Sequence, residues 1–275
     1  MKKDIKNKEH IEHYGVTETH RIESTDDIIT EEMDRNGFAV IPNVFSHEEM
    51  VSASDKLDSI SAILNAKNSS KNVLNDDIIR CPLVYDDYFL KLATNDLLVK
   101  LSKKILGENI VLIMQNAIIN RPEKKQIQVK WHRDLNYQHW VCSKPLAVHY
   151  LICIDKFYEK GGCTWCLPGS HLHEKFPSNE FIEKNEIPLE AEIGSVVLMN
   201  AMTYHRAGKN IDSNYTRRAI NHVVGKPLLA QQIDIPLFLA QSGKDFSADK
   251  FLSKYLGYSW NPAKNNDDWQ NKRKK

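Results

Sequence analysis

The chain has 275 residues with 37 basic and 36 acidic side chains, so its formal net charge is +1. This near balance of charges provides no basic excess that would attract a phosphate backbone, which argues against nucleic-acid binding. No apolar run approaches the ~20 residues that a spanning helix needs, and the charged N-terminus lacks an apolar signal segment. These features predict a cytoplasmic protein that binds neither nucleic acid nor membrane.

The first predicted elements are helices. Residues 1–27 are polar and without clear periodicity, which predicts either a mobile leader or a loosely packed first turn. Apolar periodicity and capping signals then predict helix 28–35, strand 38–42, a helix opened by the capping box Ser46-x-x-Glu49, and helix 87–106.

From residue 110 the sequence consists of short runs that are rich in β-branched and aromatic residues, a pattern typical of strands. The expected strands are 110–120, 126–131, 146–154, 163–167, 193–199 and 218–224. Short strands that follow helices, instead of alternating with them, favour an antiparallel sandwich or barrel with an N-terminal helical layer. We expect residues 28–260 to form a single domain and residues 261–275 to form a polar tail.

A histidine and an acidic residue two positions apart on a strand could both bind one metal ion, because alternate residues of a strand share one face. The pattern occurs at His10-Ile11-Glu12, His47-Glu48-Glu49 and His132-Arg133-Asp134. The first copy lies in the leader and the second opens a helix, where such positions diverge. Because the third ends a predicted strand, we expect His132 and Asp134 to face the mouth of the barrel.

A third ligand is needed, and His205, which follows a predicted strand, is the best candidate. Taken alone, His205 is more simply explained as a hydrogen-bonded loop histidine. Two histidines and one carboxylate are the ligand set of non-heme Fe(II) oxygenases. Downstream, Arg217 and Arg218 are neighbours in a predicted strand, so one of them must point inward, where a buried guanidinium requires an anion.

Four segments together resemble the phytanoyl-CoA dioxygenase family of Fe(II)- and 2-oxoglutarate-dependent oxygenases, over about residues 30–228. The segments are 36–45, Trp131-His132-x-Asp134, 161–171, and His205 with Asn210 and Arg217-Arg218-Ala219. The resemblance implies a mainly β fold, the double-stranded β-helix or jelly roll, flanked by N-terminal helices.

The resemblance also implies roles for individual residues. It makes His132, Asp134 and His205 the iron ligands and Arg217 the clamp for the distal carboxylate of 2-oxoglutarate. Gln115 and Asn120 would be neighbours of that cosubstrate, or simply polar residues at a strand end. One extra residue between His205 and the arginine pair leaves Arg218 as an alternative clamp. Where family members often carry a small hydroxyl residue, this chain has Ala207.

The implied activity is that of a dioxygenase that uses Fe(II), 2-oxoglutarate and O2, hydroxylates a C–H bond of a small-molecule substrate, and releases succinate and CO2. Desaturation and ring formation stay open. Lys124, Lys125, Lys130 and Arg133 could attract an anionic group of the substrate, and Tyr137, His139 and Trp140 could either line its pocket or simply pack. The alternatives are a non-catalytic metal-binding β-barrel and a cupin-like isomerase or hydrolase with another divalent metal.

Overall fold

The computed structural model describes residues 11–68, 77–122, 127–135 and 138–273. Within these ranges the strands are β1 (Phe38–Ile41), β2 (Ile78–Arg80), β3 (Val111–Asn120), β4 (Ala147–Cys153), β5 (Thr164–Cys166), β6 (Ile187–Leu189), β7 (Val196–Asn200), β8 (His205–Ala207) and β9 (Arg217–Gly225). They form a six-stranded sheet in the order β1-β7-β4-β9-β3-β2 and a three-stranded sheet in the order β6-β5-β8. All pairings are antiparallel, as in the predicted jelly roll.

The helices within the described ranges are α1 (Thr25–Asn36), α2 (His47–Asn68), α3 (Tyr88–Ala93), α4 (Asp96–Leu106), α5 (Asn179–Asn185), α6 (Ile235–Gln241), α7 (Lys250–Tyr255) and α8 (Asn266–Arg273). The predicted capping box opens α2, where the backbone N–H of Ser46 donates to Glu49 Oε2 at 3.0 Å and that of Glu49 to Ser46 Oγ at 3.2 Å. None of these helices is both long and apolar enough to cross a bilayer.

Strand alternation divides the large sheet into two faces. One face packs against the helices, and the largest apolar cluster joins Ala117 and Ile220 of the sheet to Leu57, Leu92 and Leu101 of the helices. Each fully buried side chain of this kind stabilises the fold by roughly 1.5–3 kcal/mol. The opposite face turns toward the small sheet.

A second cluster fills the space between the two sheets. It combines Ile118, Leu151 and Ala219 of the large sheet with Cys166 and Leu189 of the small sheet. Side chains of the same parity as these residues therefore point into the interior of the jelly roll. This parity decides which polar residues can reach a site there.

Two predicted elements are wrong in detail. The predicted helix 87–106 is divided into α3 and α4. Asn95 lies between them and caps α4, because its side chain accepts from the backbone N–H groups of Leu97 and Leu98 at 3.0 and 3.3 Å. In place of the predicted strand 126–131, Ile127–Val129 form a 3-10 turn, and residue 126 lies outside the described residues.

The boundaries of the body also differ slightly from those expected. Helix α1 begins at Thr25, within the predicted leader, and α8 lies within the predicted polar tail. Ser24 and Asp27 form a capping box at the start of α1, a signal that was visible in the sequence. The division into a leader, one domain and a tail stays a prediction.

Candidate metal centre

The three candidate ligands come together where the small sheet continues into an isolated β-bridge. His132 and His205 pair in this bridge, and each donates its backbone N–H to the carbonyl oxygen of the other, at 3.0 and 3.1 Å. The backbone N–H of Asp134 donates to the carbonyl of Ala201 at 3.1 Å. One ligand atom from each of His132, Asp134 and His205 lies within 4.8 Å of the other two.

Each histidine ring is held by the backbone carbonyl two residues before it. His132 Nδ1 lies 2.8 Å from the carbonyl oxygen of Lys130, and His205 Nδ1 lies 3.0 Å from that of Thr203. Because a carbonyl oxygen can only accept, Nδ1 carries the proton in each ring and Nε2 keeps its lone pair. This tautomer is the one that binds a metal through Nε2.

The protonation of the cluster also suits a cation. Burial opposes ionisation of Asp134, but the facing rings of His149, His205 and His132 hold its pKa below the usual value. Burial, followed by the neighbouring His132 ring, lowers the pKa of His205 to about 3. A carboxylate and two imidazoles whose Nε2 atoms are not used by the backbone are donors that divalent iron accepts, so these residues fit an iron ion.

A fourth histidine, absent from the sequence prediction, lies beside this cluster. His149 is 2% exposed, and its Nδ1 lies 2.7 Å from Asp134 Oδ2. It is on β4 with the same parity as Leu151, so it points into the interior. A single histidine within a strand that is otherwise apolar, apart from Tyr150, was the available signal.

The structure separates the two adjacent arginines. Arg217 is 2% exposed, and its guanidinium lies over the ring of Phe157, with the carbon 4.7 Å from the ring centroid. Arg218 points the other way and pairs with Asp58 at 2.7 Å and Asp155 at 3.0 Å. Arg217 is therefore the inward arginine.

Arg217 has the properties of an anion-binding group. Burial lowers its pKa to about 10, so it stays cationic at neutral pH. No carboxylate pairs with it among the described residues, and its buried Nε has no hydrogen-bond partner there. A buried guanidinium of this kind fits a carboxylate, which can accept two parallel hydrogen bonds.

The two predicted neighbours of the cosubstrate lie on different faces of β3. Asn120 is directly opposite Arg217 in the sheet, and its Nδ2 donates to the carbonyls of Gly162 and Gly208 at 3.2 and 3.1 Å. Gln115 has the other parity and does not join the site. Its side chain faces the helical layer, where it accepts from Leu83 N and donates to Phe89 O.

The proposal that Arg133 attracts a substrate anion is wrong. Arg133 is 3% exposed and its guanidinium stacks on Tyr204, 3.9 Å from the ring centroid. It donates to the backbone carbonyls of Gln138, Trp140, Ser170 and His173. Arg133 lies between His132 and Asp134 in the chain, and its side chain is buried against Tyr204 and the carbonyls of a distant segment instead of facing a substrate.

The remaining candidates near the ligands are only partly described. Lys124, Lys125 and Tyr137 lie outside the described residues, and Lys130 and His139 are exposed. Trp140 packs against an apolar cluster that includes Met114 and Val223. Of the three aromatic pocket candidates, Trp140 thus has a packing role.

The chain is similar to known proteins over most of its length. Residues 33–219 match the family model described as Phytanoyl-CoA dioxygenase (PhyH). An uncharacterized protein of Mycobacterium tuberculosis, Rv1501, is 23% identical over 208 residues, which cover 72% of this chain and 74% of that protein. A probable alpha-ketoglutarate-dependent hypophosphite dioxygenase of Stutzerimonas stutzeri is 30% identical over 147 residues, or 47% of this chain and 50% of that protein.

A solved structure confirms the fold. The epimerase SnoN, in complex with Fe3+, alpha ketoglutarate and nogalamycin RO, superposes with a TM-score of 0.57 at 16% identity, covering 74% of this chain and 84% of that chain. At this identity the likeness concerns the jelly-roll fold alone. Because the family model spans more than half of the sequence, the chain belongs to the phytanoyl-CoA dioxygenase family.

Proposed function

We propose that this protein is an Fe(II)- and 2-oxoglutarate-dependent dioxygenase that hydroxylates a C–H bond of a small molecule. The observation that carries the proposal is the convergence of two histidines and one aspartate in an interior that also holds the buried cation Arg217, which pairs with no carboxylate of the described residues. Membership of a family of dioxygenases supports the oxidative chemistry.

Each polar group then has a role. His132 and His205, through Nε2, and Asp134, through Oδ1, would hold Fe(II) on one side, which leaves the other positions for small ligands. The guanidinium of Arg217 would bind the distal carboxylate of 2-oxoglutarate. Bound iron, 2-oxoglutarate and O2 supply the oxidising power, and the surrounding apolar side chains exclude water and orient the substrate.

The substrate is proposed as a free small molecule. The SnoN complex contains nogalamycin RO, and the Stutzerimonas relative is named for hypophosphite, so similar proteins bind small molecules of very different size and charge. Because Arg133 is buried and bound to carbonyl oxygens, it gives no support for an anionic substrate. Within the small-molecule class, the site itself selects no particular substrate.

The test has two stages. Anaerobic addition of Fe(II) and 2-oxoglutarate to the purified protein should give a weak metal-to-ligand charge-transfer band, which His132→Ala should abolish. Exposure to O2 should then release succinate in a metabolite screen. A wild-type protein that binds Fe(II) but neither gives this band nor forms succinate would contradict the proposal and favour a non-catalytic metal-binding barrel.

Product analysis separates hydroxylation from other outcomes. A hydroxylated product gains one oxygen atom, an epimerised product keeps the mass of the substrate, and a desaturated or cyclised product loses two hydrogen atoms. SnoN, which has the same fold, is an epimerase, so the mass of the product is the decisive measurement.

A further inference from the structure

His149 lies at the centre of the large sheet, next to the candidate ligands. Its strand β4 pairs with β7 on one side and β9 on the other, so its position is fixed by both neighbours. The residue stands opposite Met199 and Val223 in these pairings. A buried polar side chain on so rigid a support has an orientation set by the fold.

The contact of His149 distinguishes the two oxygens of Asp134. His149 Nδ1 lies 2.7 Å from Oδ2, whereas Oδ1 lies 3.8 Å from His205 Nε2. Both side chains are almost completely buried. One carboxylate oxygen therefore faces the histidine of β4, and the other faces the candidate ligands.

His149 is outside the ligand group itself. Among the described residues, the group whose donor atoms lie mutually within 4.8 Å contains His132, Asp134 and His205 but not His149. Its Nδ1 lies 2.7 Å from Asp134 Oδ2 but outside the angular range of a hydrogen bond, so neither buried atom has a hydrogen-bond partner among the described residues. Two lone pairs at this distance would repel each other, so Nδ1 carries the proton, which a small rotation of the ring aligns with Oδ2. Its role is thus toward Asp134, not toward the metal.

We propose that His149 is a positioning residue, which donates from Nδ1 to Asp134 Oδ2 and thereby presents Oδ1 alone to the metal. The inference deepens the proposed function and rests on the metal centre assigned there. Among the described residues, His149 Nδ1 is the polar atom found within 3 Å of the buried Oδ2, and without it the carboxylate could rotate or chelate the metal with both oxygens. Outer-shell partners of ligating groups typically contribute 10–100-fold in metal affinity.

Three substitutions isolate the hydrogen bond from the volume of the ring. His149→Phe keeps a ring but removes the donor. His149→Asn places an amide N–H close to the position of Nδ1, and His149→Gln, of similar polarity, places it near the position of Nε2. The measurements are the anaerobic dissociation constant for Fe(II), by chelator competition, and the ligand-field absorption of bound Co(II).

We expect His149→Phe and His149→Gln to weaken Fe(II) binding roughly 10–100-fold and to shift the Co(II) absorption, and His149→Asn to stay near wild type in both. If His149→Phe does not fold, the Asn and Gln pair still tests the donor position. Equal Fe(II) affinity in all folded variants, or equal losses in Asn and Gln, would overturn the inference and leave the metal centre intact. A wild-type protein that binds no Fe(II) would overturn both.

Discussion

His132 and His205 face each other across one antiparallel β-bridge, with their ring centroids 4.4 Å apart. The bridge joins two segments that lie far apart in the sequence, so both imidazoles reach the same point only after the small sheet has formed. Each ring is also fixed by the carbonyl two residues before it. The ligand geometry is therefore a property of the backbone pairing, which should exist before any metal binds.

The two arginines offer the first prediction. Arg217→Ala should raise the KM for 2-oxoglutarate by roughly 30-fold or more, because removing one partner of a buried charge pair costs about 2 kcal/mol or more. Arg218→Ala removes ion pairs to Asp58 and Asp155 and should lower the unfolding temperature instead. Succinate release at graded 2-oxoglutarate concentrations gives the KM of both variants. A larger increase of KM in Arg218→Ala than in Arg217→Ala would assign the clamp to Arg218.

Sequence patterns predicted the direction of a side chain where it follows from strand parity, but not the contacts that side chains make with distant segments. The inward position of one arginine followed from the adjacency of Arg217 and Arg218 in a strand. The burial of Arg133 was missed because its partners, the carbonyls of Ser170 and His173, lie in a distant segment of the chain. His149 was missed because its contact with Asp134 crosses between distant segments, which no local spacing encodes.

A second prediction concerns Thr164, which lies opposite Ala207 on the strand pair β5 and β8. It is buried and shares the inward parity of His205. We expect its hydroxyl to replace the one that the family often carries at the position of Ala207. Thr164→Val should then raise the KM for 2-oxoglutarate about 3- to 10-fold, the value of one neutral hydrogen bond.

The reciprocal variant tests this assignment. Ala207→Ser in the Thr164→Val background should restore much of the affinity for 2-oxoglutarate, since it returns a hydroxyl to the same face. Thr94→Val, in which the removed hydroxyl bonds only to backbone carbonyls of α3, serves as the control. Unchanged KM values in Thr164→Val would show that the hydroxyl does not contact the cosubstrate.

Arg133 gives a third prediction, on stability. Arg133→Met keeps the length of the side chain but leaves backbone carbonyls of Ser170 and His173 without their donor. Hydrogen bonds to charged groups contribute about 1.5–3 kcal/mol each, so the free energy of unfolding should fall by at least about 3 kcal/mol. Urea denaturation of the metal-free protein measures it. Lys130→Met, at an exposed side chain nearby, should change it by less than about 0.5 kcal/mol.

Buried His222 gives the last prediction, a pH dependence of stability. It is 1% exposed, and burial, with a smaller effect of His149, lowers its pKa to about 3 from the ordinary 6.5. At a pH between these two pKa values, His222 is protonated in the unfolded chain but neutral in the folded chain. The metal-free protein should therefore lose stability as the pH falls below about 6.5, and His222 accounts for up to about 1.4 kcal/mol per pH unit. His205, with a pKa also near 3, acts in the same direction.

The substitution His222→Gln separates this contribution from that of the ligand cluster, because His222 faces Gln115 on the helix side of the sheet. Urea unfolding of the metal-free wild type and variant at pH 7.5, 6.5 and 5.5 gives both slopes. The variant should lose less stability than the wild type between pH 6.5 and pH 5.5, although it can be less stable at pH 7.5. Parallel curves would mean that His222 takes up its proton in the folded state as readily as in the unfolded chain.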